Sequence, residues 1–176
     1  MKKILLTILL GSSVAGFSQT IKDIEVLNKI KDQDLAKVGS ILNLKQNKSS
    51  NTKLGISTLY FDKGDFYYSA RGGSDNVKAV KVGLNIMNKG DGNERWLKIC
   101  NEFINSKDYQ AVSFIHKLPG KETTFGNLND MLSEMQKLSF GEKDAQLTAF
   151  FKKGDDVYKV WAVGLNLVSV SIVDKK

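Results

Sequence analysis

The sequence contains one cysteine and one histidine, and this scarcity excludes several kinds of site. With Cys100 alone, no disulfide can form within the chain, and its place on an apolar helical stripe predicts a buried, inert thiol. With His116 alone, a zinc site built on two imidazoles cannot form, and a serine or cysteine nucleophile has a single candidate base. We therefore expect no metal site, no cofactor, and a fold stabilised by its own apolar core.

Arginine is also scarce, since Arg71 and Arg95 are the only two among 26 lysines and arginines. Lysine is a mobile point charge, whereas the recognition of bases and phosphates favours the planar guanidinium group. The acidic residues are interleaved with the lysines, as in residues 22–37, and no run of five like charges occurs. The formal net charge of +7 therefore indicates a solvated surface, and we predict no nucleic-acid partner.

Long apolar runs are missing as well, and the most apolar segment lies near the N-terminus. Lysines at positions 2 and 3 precede an apolar segment at residues 4–10, and small residues predominate at residues 11–18. This pattern is typical of a secretory signal peptide, and the segment is shorter than the roughly 18 apolar residues that span a membrane. We therefore predict that the protein is exported and that residues 1–18 are removed.

The small residues Gly16 and Ser18 favour cleavage before Gln19, with cleavage after Ala15 or after Gly16 as alternatives. Cleavage before Gln19 takes away two lysines and lowers the formal net charge from +7 to +5. No cysteine lies near the end of the apolar segment, so we expect a periplasmic or secreted protein that is not a lipoprotein and has no transmembrane segment after cleavage. The mature chain, residues 19–176, has the length of one domain.

The spacing of apolar residues divides the mature chain into helices and strands. Residues 109–116 fit either pattern, and residues 46–53 contain no apolar side chain, which indicates a loop. The predicted helices lie at residues 20–42 with a break at 32–34, at 96–104 and at 128–138, and the predicted strands at residues 56–61, 66–68, 80–86, 147–151, 157–163 and 167–173.

Local signals predict where some of these elements begin and turn. Thr20 and Asp23 resemble a capping box, which would start the first helix at that point. Asn127 is a candidate N-cap for the last helix, and a Gly-Asp turn at residues 64–65 predicts a hairpin. Together the elements predict an α+β fold, in which antiparallel β-meanders carry amphipathic helices packed on one face.

Two hairpin segments resemble each other. Residues 61–68 and 151–158 share Phe, Lys, Gly, Asp and Tyr in register, and the tetrapeptide Val-Gly-Leu-Asn recurs at residues 82–85 and 163–166. Two copies of a unit of one helix and three strands would explain both matches, and their meanders would form one continuous sheet or two facing layers. Convergence on Gly-Asp turns and valine-rich strands explains them equally well, so both interpretations stay open.

Two possible catalytic or metal-binding motifs fail because of their context. Ser50–Lys53 and Ser74–Asn76 match two signatures of the serine β-lactamases, but the Lys-Thr-Gly element is missing and the serine does not open a predicted helix. Asp91 and Glu102 are spaced as the first and last ligands of a calcium loop, but Trp96 stands where a glycine must make the sharp turn. Neither motif predicts an enzyme or a calcium site.

A binding function is favoured because the sequence offers no credible cluster of acid, base, nucleophile or metal ligands. The candidate binding residues are Tyr67, Arg71 and Trp161, which place aromatic and cationic side chains on or beside predicted strands. We expect a non-catalytic binding or interaction module of the cell envelope, whose partner is an envelope protein or a small ligand.

The alternative is a small periplasmic hydrolase whose site is assembled from scattered residues such as His116, Asp75 and Glu122. The two hypotheses differ in geometry. An enzyme requires polar side chains that converge in a deep pocket, whereas the binding hypothesis requires a shallow aromatic groove.

The predicted signal peptide can be tested by producing the full chain in a secreting bacterial host. We expect the mature protein to begin at Gln19, or at Gly16 or Phe17 for the alternative cuts, because signal peptidase accepts small residues before the cleaved bond. Intact mass spectrometry and N-terminal sequencing of the periplasmic and culture fractions measure the cleavage position. Recovery of a chain that still begins at Met1 would contradict the prediction.

Overall fold

The computed structural model describes residues 14–51, 55–73, 75, 77–87, 91–137, 145–164 and 166–173. The elements in these ranges are α1 (Val14–Ile30), α2 (Leu35–Leu42), β1 (Lys48–Asn51), β2 (Ser57–Lys63), β3 (Phe66–Gly72), β4 (Ala79–Met87), α3 (Gly92–Asn105), β5 (Gln110–Leu118), β6 (Lys121–Phe125), α4 (Leu128–Lys137), β7 (Gln146–Lys153), β8 (Asp156–Val163) and β9 (Leu167–Val173). None of these helices combines the length and the apolar character that a membrane crossing requires.

The nine strands form one antiparallel sheet in the order β1-β2-β3-β4-β9-β8-β7-β5-β6. The meander β2–β3–β4 and the meander β7–β8–β9 meet where β4 pairs with β9. Strand β1 extends the first meander, and the hairpin β5–β6 extends the second. The predicted α+β fold is therefore confirmed, and the two meanders share a single continuous sheet.

Alternation along the strands gives the sheet one buried face. In β8, Tyr158, Val160 and Ala162 are buried, whereas Lys159 and Trp161 between them are only half-buried. All four helices contribute buried side chains to one hydrophobic core with this face. The prediction that amphipathic helices pack on one face of antiparallel meanders is confirmed.

Aromatic contacts fix helix α3 against the sheet. Trp96 donates a hydrogen bond from Nε1 to the carbonyl oxygen of Val160, at 3.1 Å. Two turns further along the helix, the Phe103 ring stacks on Phe151 with centroids 4.5 Å apart. Cys100 lies between them, fully buried, and burial raises the pKa of its thiol well above the ordinary value. The prediction of a buried thiol is confirmed.

Two predicted features of the helices are confirmed by local geometry. The break at residues 32–34 separates α1 from α2, and Asp32 has the left-handed φ of +61°. The side chain of Asn127 caps α4, since its Oδ1 accepts a hydrogen bond from the Asp130 amide at 2.9 Å. The capping-box prediction is wrong, because α1 already includes Val14 and Thr20 lies inside it.

The sequence did not predict the two edge strands. Residues 48–51 of the predicted loop form β1, whose side chains are all exposed. Strand β6 pairs with β5 in a hairpin that turns at Pro119 and Gly120, and it too is largely exposed. Because an edge strand can face water on both sides, these segments lack the apolar alternation on which the prediction depended. The ambiguous segment at residues 109–116 is mostly strand β5.

The two similar hairpins have the same register. Phe61 lies opposite Tyr68 across β2 and β3, and Phe151 lies opposite Tyr158 across β7 and β8. Each hairpin turns through a two-residue loop that begins with a glycine of positive φ, +64° at position 64 and +58° at position 154. The sequence match at residues 61–68 and 151–158 therefore corresponds to a shared backbone geometry.

The repeated tetrapeptide does not share this correspondence. Residues 82–85 lie in the middle of β4. Residues 163–166 begin at the last residue of β8 and continue into the turn before β9, with residue 165 outside the described ranges. The two copies of Val-Gly-Leu-Asn therefore occupy different places in the two meanders and do not support a duplication.

Helix α1 packs over β4 and β9, where the two meanders join. The first hairpin contacts it through Lys63, whose Nζ lies 2.8 Å from Oδ1 of Asp23. Tyr68 donates a hydrogen bond to the carbonyl oxygen of Asp23 at 3.1 Å. The Asp23 side chain is largely buried, so the positive charge of Lys63 compensates the charge of a buried carboxylate.

The second hairpin contacts the same helix through matching residue types. Lys153, which corresponds to Lys63 in the sequence match, lies 2.6 Å from Oε1 of Glu25. Tyr158, which corresponds to Tyr68, accepts a hydrogen bond from the side-chain amide of Asn28. Helix α1 is therefore fastened to both halves of the sheet.

The two turn glycines allow a test of the hairpin geometry. We expect Gly64→Ala and Gly154→Ala each to lower the free energy of unfolding by about 1 kcal/mol, because an L-residue is strained at positive φ. Neither position has an atom within 4 Å of a new Cβ, so a steric clash does not contribute. Urea unfolding monitored by circular dichroism measures the change.

Gly126→Ala is the matched control, because its Cβ position is also empty and its φ is outside the left-handed region. We expect this variant to be as stable as the parent or slightly more stable. An equal loss of stability in all three variants would contradict the proposed role of the positive φ.

Alkaline pH should destabilise the fold. Burial is the main cause that raises the pKa of Tyr68, Tyr109 and Tyr158 above the ordinary value of 10.0, and the hydrogen bond to Glu25 raises the pKa of Lys153. Above about pH 10 the folded state keeps protons that the unfolded chain releases, so the free energy of unfolding must fall as the pH rises.

Urea midpoints measured from about pH 8 to about pH 11 test this expectation. Tyr68→Phe removes one of the titrating groups, so its stability should decline less steeply with pH. Its stability at pH 8 should be lower by about 1 kcal/mol, because the hydrogen bond to Asp23 is lost. A midpoint that does not change over this pH range would show that the burial of these phenols has no thermodynamic effect.

Candidate functional site

The face of the sheet opposite the helices, here called the open face, carries aromatic, polar and cationic side chains. Its described members near the centre of the sheet are Tyr60, Tyr67, Ser69, Arg71, Lys81, Gly83, Asn85, Thr148, Phe150, Lys159, Trp161, Ser169 and Ser171. Gly83 is buried, Lys81 is exposed, and all the others are half-buried. They share this face because each lies an odd number of residues from a core-facing residue on its own strand.

Four of these residues form one row that crosses four neighbouring strands. Tyr67 lies opposite Asn85, Asn85 opposite Ser169, and Ser169 opposite Trp161. Tyr67 and Trp161 are therefore separated by three strand spacings of about 4.8 Å, or about 14 Å in all. This row, here called the aromatic row, ends in an aromatic side chain on each side of a polar centre.

Hydrogen bonds connect the polar centre across three strands. Asn85 donates from Nδ2 to Oγ of Ser69 at 3.0 Å, and Ser169 donates from Oγ to Oδ1 of Asn85 at 2.9 Å. The amide is held from both sides, so its orientation is fixed. The centre of the open face thus presents a preorganised array of hydroxyl and amide groups.

A second row of small residues lies beside the aromatic row. Gly83 lies opposite Ser69 on one side and Ser171 on the other, and Ser171 lies opposite Lys159. A Cβ at position 83 would meet Oγ of Ser69 at 3.2 Å and Nδ2 of Asn85 at 3.5 Å. The short side chains of Ser69, Gly83 and Ser171 form a strip, here called the central trough, between the aromatic row on one side and Arg71 and Lys81 on the other.

Aromatic side chains border both ends of the trough. Tyr67 contacts Tyr60 edge to face, with ring centroids 5.9 Å apart. At the other end, the ammonium group of Lys159 lies 5.3 Å from the centroid of the Trp161 ring. Burial, together with nearby Tyr60 and Asp62, raises the pKa of Tyr67. Its phenol therefore stays protonated at neutral pH and can donate a hydrogen bond.

Cations outnumber acids on the open face. Arg71 lies opposite Lys81, on the side of the central trough that is away from the aromatic row. The strand carboxylates on this face in the described ranges lie near its two edges. Asp62 on β2 accepts a hydrogen bond from Asn47, and Glu122 on β6 forms an ion pair with Lys117. The centre of the face is consequently cationic.

The structure brings the three candidate binding residues onto one face. Tyr67 and Trp161 are ends of the aromatic row, and Arg71 lies four residues along β3 from Tyr67. The sequence did not identify Asn85 or Gly83 as site residues, although their alternation with valine and leucine on β4 placed them on a common face. The sequence of β4 does not show that β9 is its neighbour in the sheet.

In the alternative hydrolase site, Asp75 lies far from His116 and Glu122, and these two residues face opposite sides of the sheet. Asp75 is in the β3–β4 connection, where its carboxylate accepts a hydrogen bond from the Val77 amide at 3.2 Å. His116 points from β5 into the core, and Glu122 is exposed beside Lys117 on the other face. Four strands separate β3 from β5, so these groups cannot act on one bond.

An open pocket lies on the helix side of the sheet, between α2 and β2. Its volume is 490 Å³, and it is lined by apolar residues such as Leu35 and Phe61 and by polar residues such as Asn43, Lys45 and Gln46. Its lining has no acid, and the described part of the chain contains no group of three or more metal-ligating side chains. Phe61 is the one aromatic residue in this lining, so the pocket lacks the pair of aromatic side chains that the open face presents.

Comparisons of the chain with protein-family models, with curated proteins and with solved structures find no match. The chemistry of the open face is therefore the basis for assigning a function.

Proposed function

We propose that the protein is an exported, non-catalytic binding module of the cell envelope, and that its open face binds an extended oligosaccharide. The observation that carries this proposal is the aromatic row, in which Tyr67 and Trp161 flank a hydrogen-bonded polar centre. A site of this form combines stacking surfaces with fixed polar groups, which set affinity and orientation respectively.

A pyranose ring matches both parts of this face. One side of the ring presents C–H groups, which pack against an aromatic face, while its rim carries hydroxyl groups that require donors and acceptors. Asn85 and Ser169 supply both kinds of group in the polar centre. The separation of about 14 Å between the backbone positions of the two aromatic residues suits several linked sugar units better than one.

The polar centre of the open face disfavours an apolar partner. The fully buried core of a protein interface is more apolar than the rest of the surface, and charged residues and serine are depleted there. Here the centre is formed by Ser69, Gly83, Asn85 and Ser169, and its polar groups would have to be buried beneath the partner. A ligand rich in hydroxyl groups replaces the lost water contacts.

The arrangement favours binding over hydrolysis. Glycoside hydrolysis uses two carboxyl groups about 5–10 Å apart. The open-face strand carboxylates in the described ranges, Asp62 and Glu122, lie on β2 and β6, which are seven strand spacings apart in the sheet. That spacing corresponds to about 34 Å, so they cannot act as a pair on one glycosidic bond.

Tryptophan fluorescence tests the site directly. The protein has two tryptophans, and Trp96 is 1% exposed in the core, so a soluble quencher reaches mainly Trp161. We expect a bound oligosaccharide to protect Trp161 from acrylamide quenching. Titration with soluble xylan, mannan, glucan and polygalacturonate fragments measures both the protection and the affinity.

Variants separate this site from the rest of the surface. Trp161→Ala and Tyr67→Ala should each weaken binding about tenfold, the equivalent of about 1.4 kcal/mol for a lost stacking contact. Ile104→Ala, at an exposed position on α3, is the control and should bind as the parent does. If no fragment protects Trp161 and isothermal titration finds no binding, the proposal is wrong.

A further inference from the structure

We infer that the ligand of the open face is an acidic oligosaccharide, one whose sugar units carry carboxylates as uronic acids do. This inference rests on the proposed function and adds the charge of the ligand to it. It follows from the position of the cations relative to the aromatic row and the central trough.

The cations lie on one long side of the trough. Arg71 and Lys81 lie opposite each other on β3 and β4, two residues beyond Ser69 and Gly83 along their strands. Two residues of a strand span about 6.6 Å. The aromatic row lies at a similar distance on the other side, so a chain that follows the trough has stacking groups on one side and positive charge on the other.

Lys159 adds a third cation at the end of the trough. It lies opposite Ser171, in the row of small residues, and its ammonium group stands over the Trp161 ring. A sugar that approaches Trp161 therefore meets a positive charge beside the stacking surface. A carboxylate on that sugar gives Lys159 a partner, whereas a neutral sugar must share the ring with a solvated ammonium group.

These three cations are not compensated within the described structure. Arg71, Lys81 and Lys159 take part in none of the ion pairs formed between described residues. Asp62 lies opposite Tyr67 at the far end of the aromatic row and is engaged by Asn47. The charge along the trough is thus complementary to an anionic ligand, and the guanidinium of Arg71 suits a planar carboxylate.

The stacking groups distinguish a saccharide from other polyanions. A chain of aspartate or glutamate residues could pair with the cations, but it has no ring to place on Tyr67 and Trp161. An acidic saccharide uses both sides of the trough at once. Binding of such a ligand should consequently depend on salt and on the aromatic residues together.

The test uses three probes of matched length. Oligogalacturonate supplies pyranose rings with carboxylates, its fully methyl-esterified form supplies the same rings without charge, and polyglutamate supplies carboxylates without rings. We expect the parent protein to bind oligogalacturonate at least tenfold more tightly than the methyl ester in isothermal titration. Raising the salt concentration should reduce this preference.

Charge variants test whether the open-face cations cause the preference for oligogalacturonate over its methyl ester. The triple variant Arg71→Gln, Lys81→Gln and Lys159→Gln should bind both saccharides with similar affinity, because the charge beside the trough is gone. The matched control Lys22→Gln, Lys29→Gln and Lys107→Gln removes three exposed positive charges away from the open face. It should keep the full preference. Circular dichroism verifies that both triple variants are folded.

The outcomes separate this inference from the proposed function. If the methyl ester binds as well as the acid, and the open-face triple variant binds as the parent does, the inference is wrong while saccharide binding stands. If polyglutamate competes equally and Trp161→Ala has no effect, both are wrong, because the attraction is then purely electrostatic. Binding to neutral glycans alone overturns the inference of an acidic ligand. Binding to no glycan overturns both this inference and the proposed function.

Discussion

The pairing of β4 with β9 is the constraint on which the rest of the structure depends. It joins the two meanders, placing Leu84 opposite Val170 on the core face and Asn85 opposite Ser169 on the open face. A slip of one residue would turn the apolar residues of one meander toward water. Burial of the core face therefore fixes the register, and the same register assembles the polar centre of the open face.

Helix α1 reinforces this junction from the core side. It packs over β4 and β9, and it is held by Lys63 from one hairpin and by Lys153 from the other. Because the carboxylate of Asp23 is buried, its ion pair has to be kept intact, and loss of the lysine would leave an uncompensated charge. The helices thus cover the core face of the sheet and leave the open face accessible.

The sequence predicted best the elements that have one buried face. Strand β9 shows this most plainly, since Val168, Val170 and Ile172 are buried and alternate with serines, as predicted. The edge strands β1 and β6 were missed because exposure on both faces removes the alternation. The candidate binding residues Tyr67, Arg71 and Trp161 do share one face, but the distance between them depends on strand order, which the sequence does not show.

The sequence by itself determined which side chains belong together on each strand, because alternation depends only on the period of the backbone. It also determined the turns, since Gly64 and Gly154 supply a positive φ that few other residues adopt. Only the tertiary structure decided that β4 lies beside β9. The sequence around Asn85 does not show that its partner is Ser169, more than 80 positions away. This pairing completes the row from Tyr67 to Trp161.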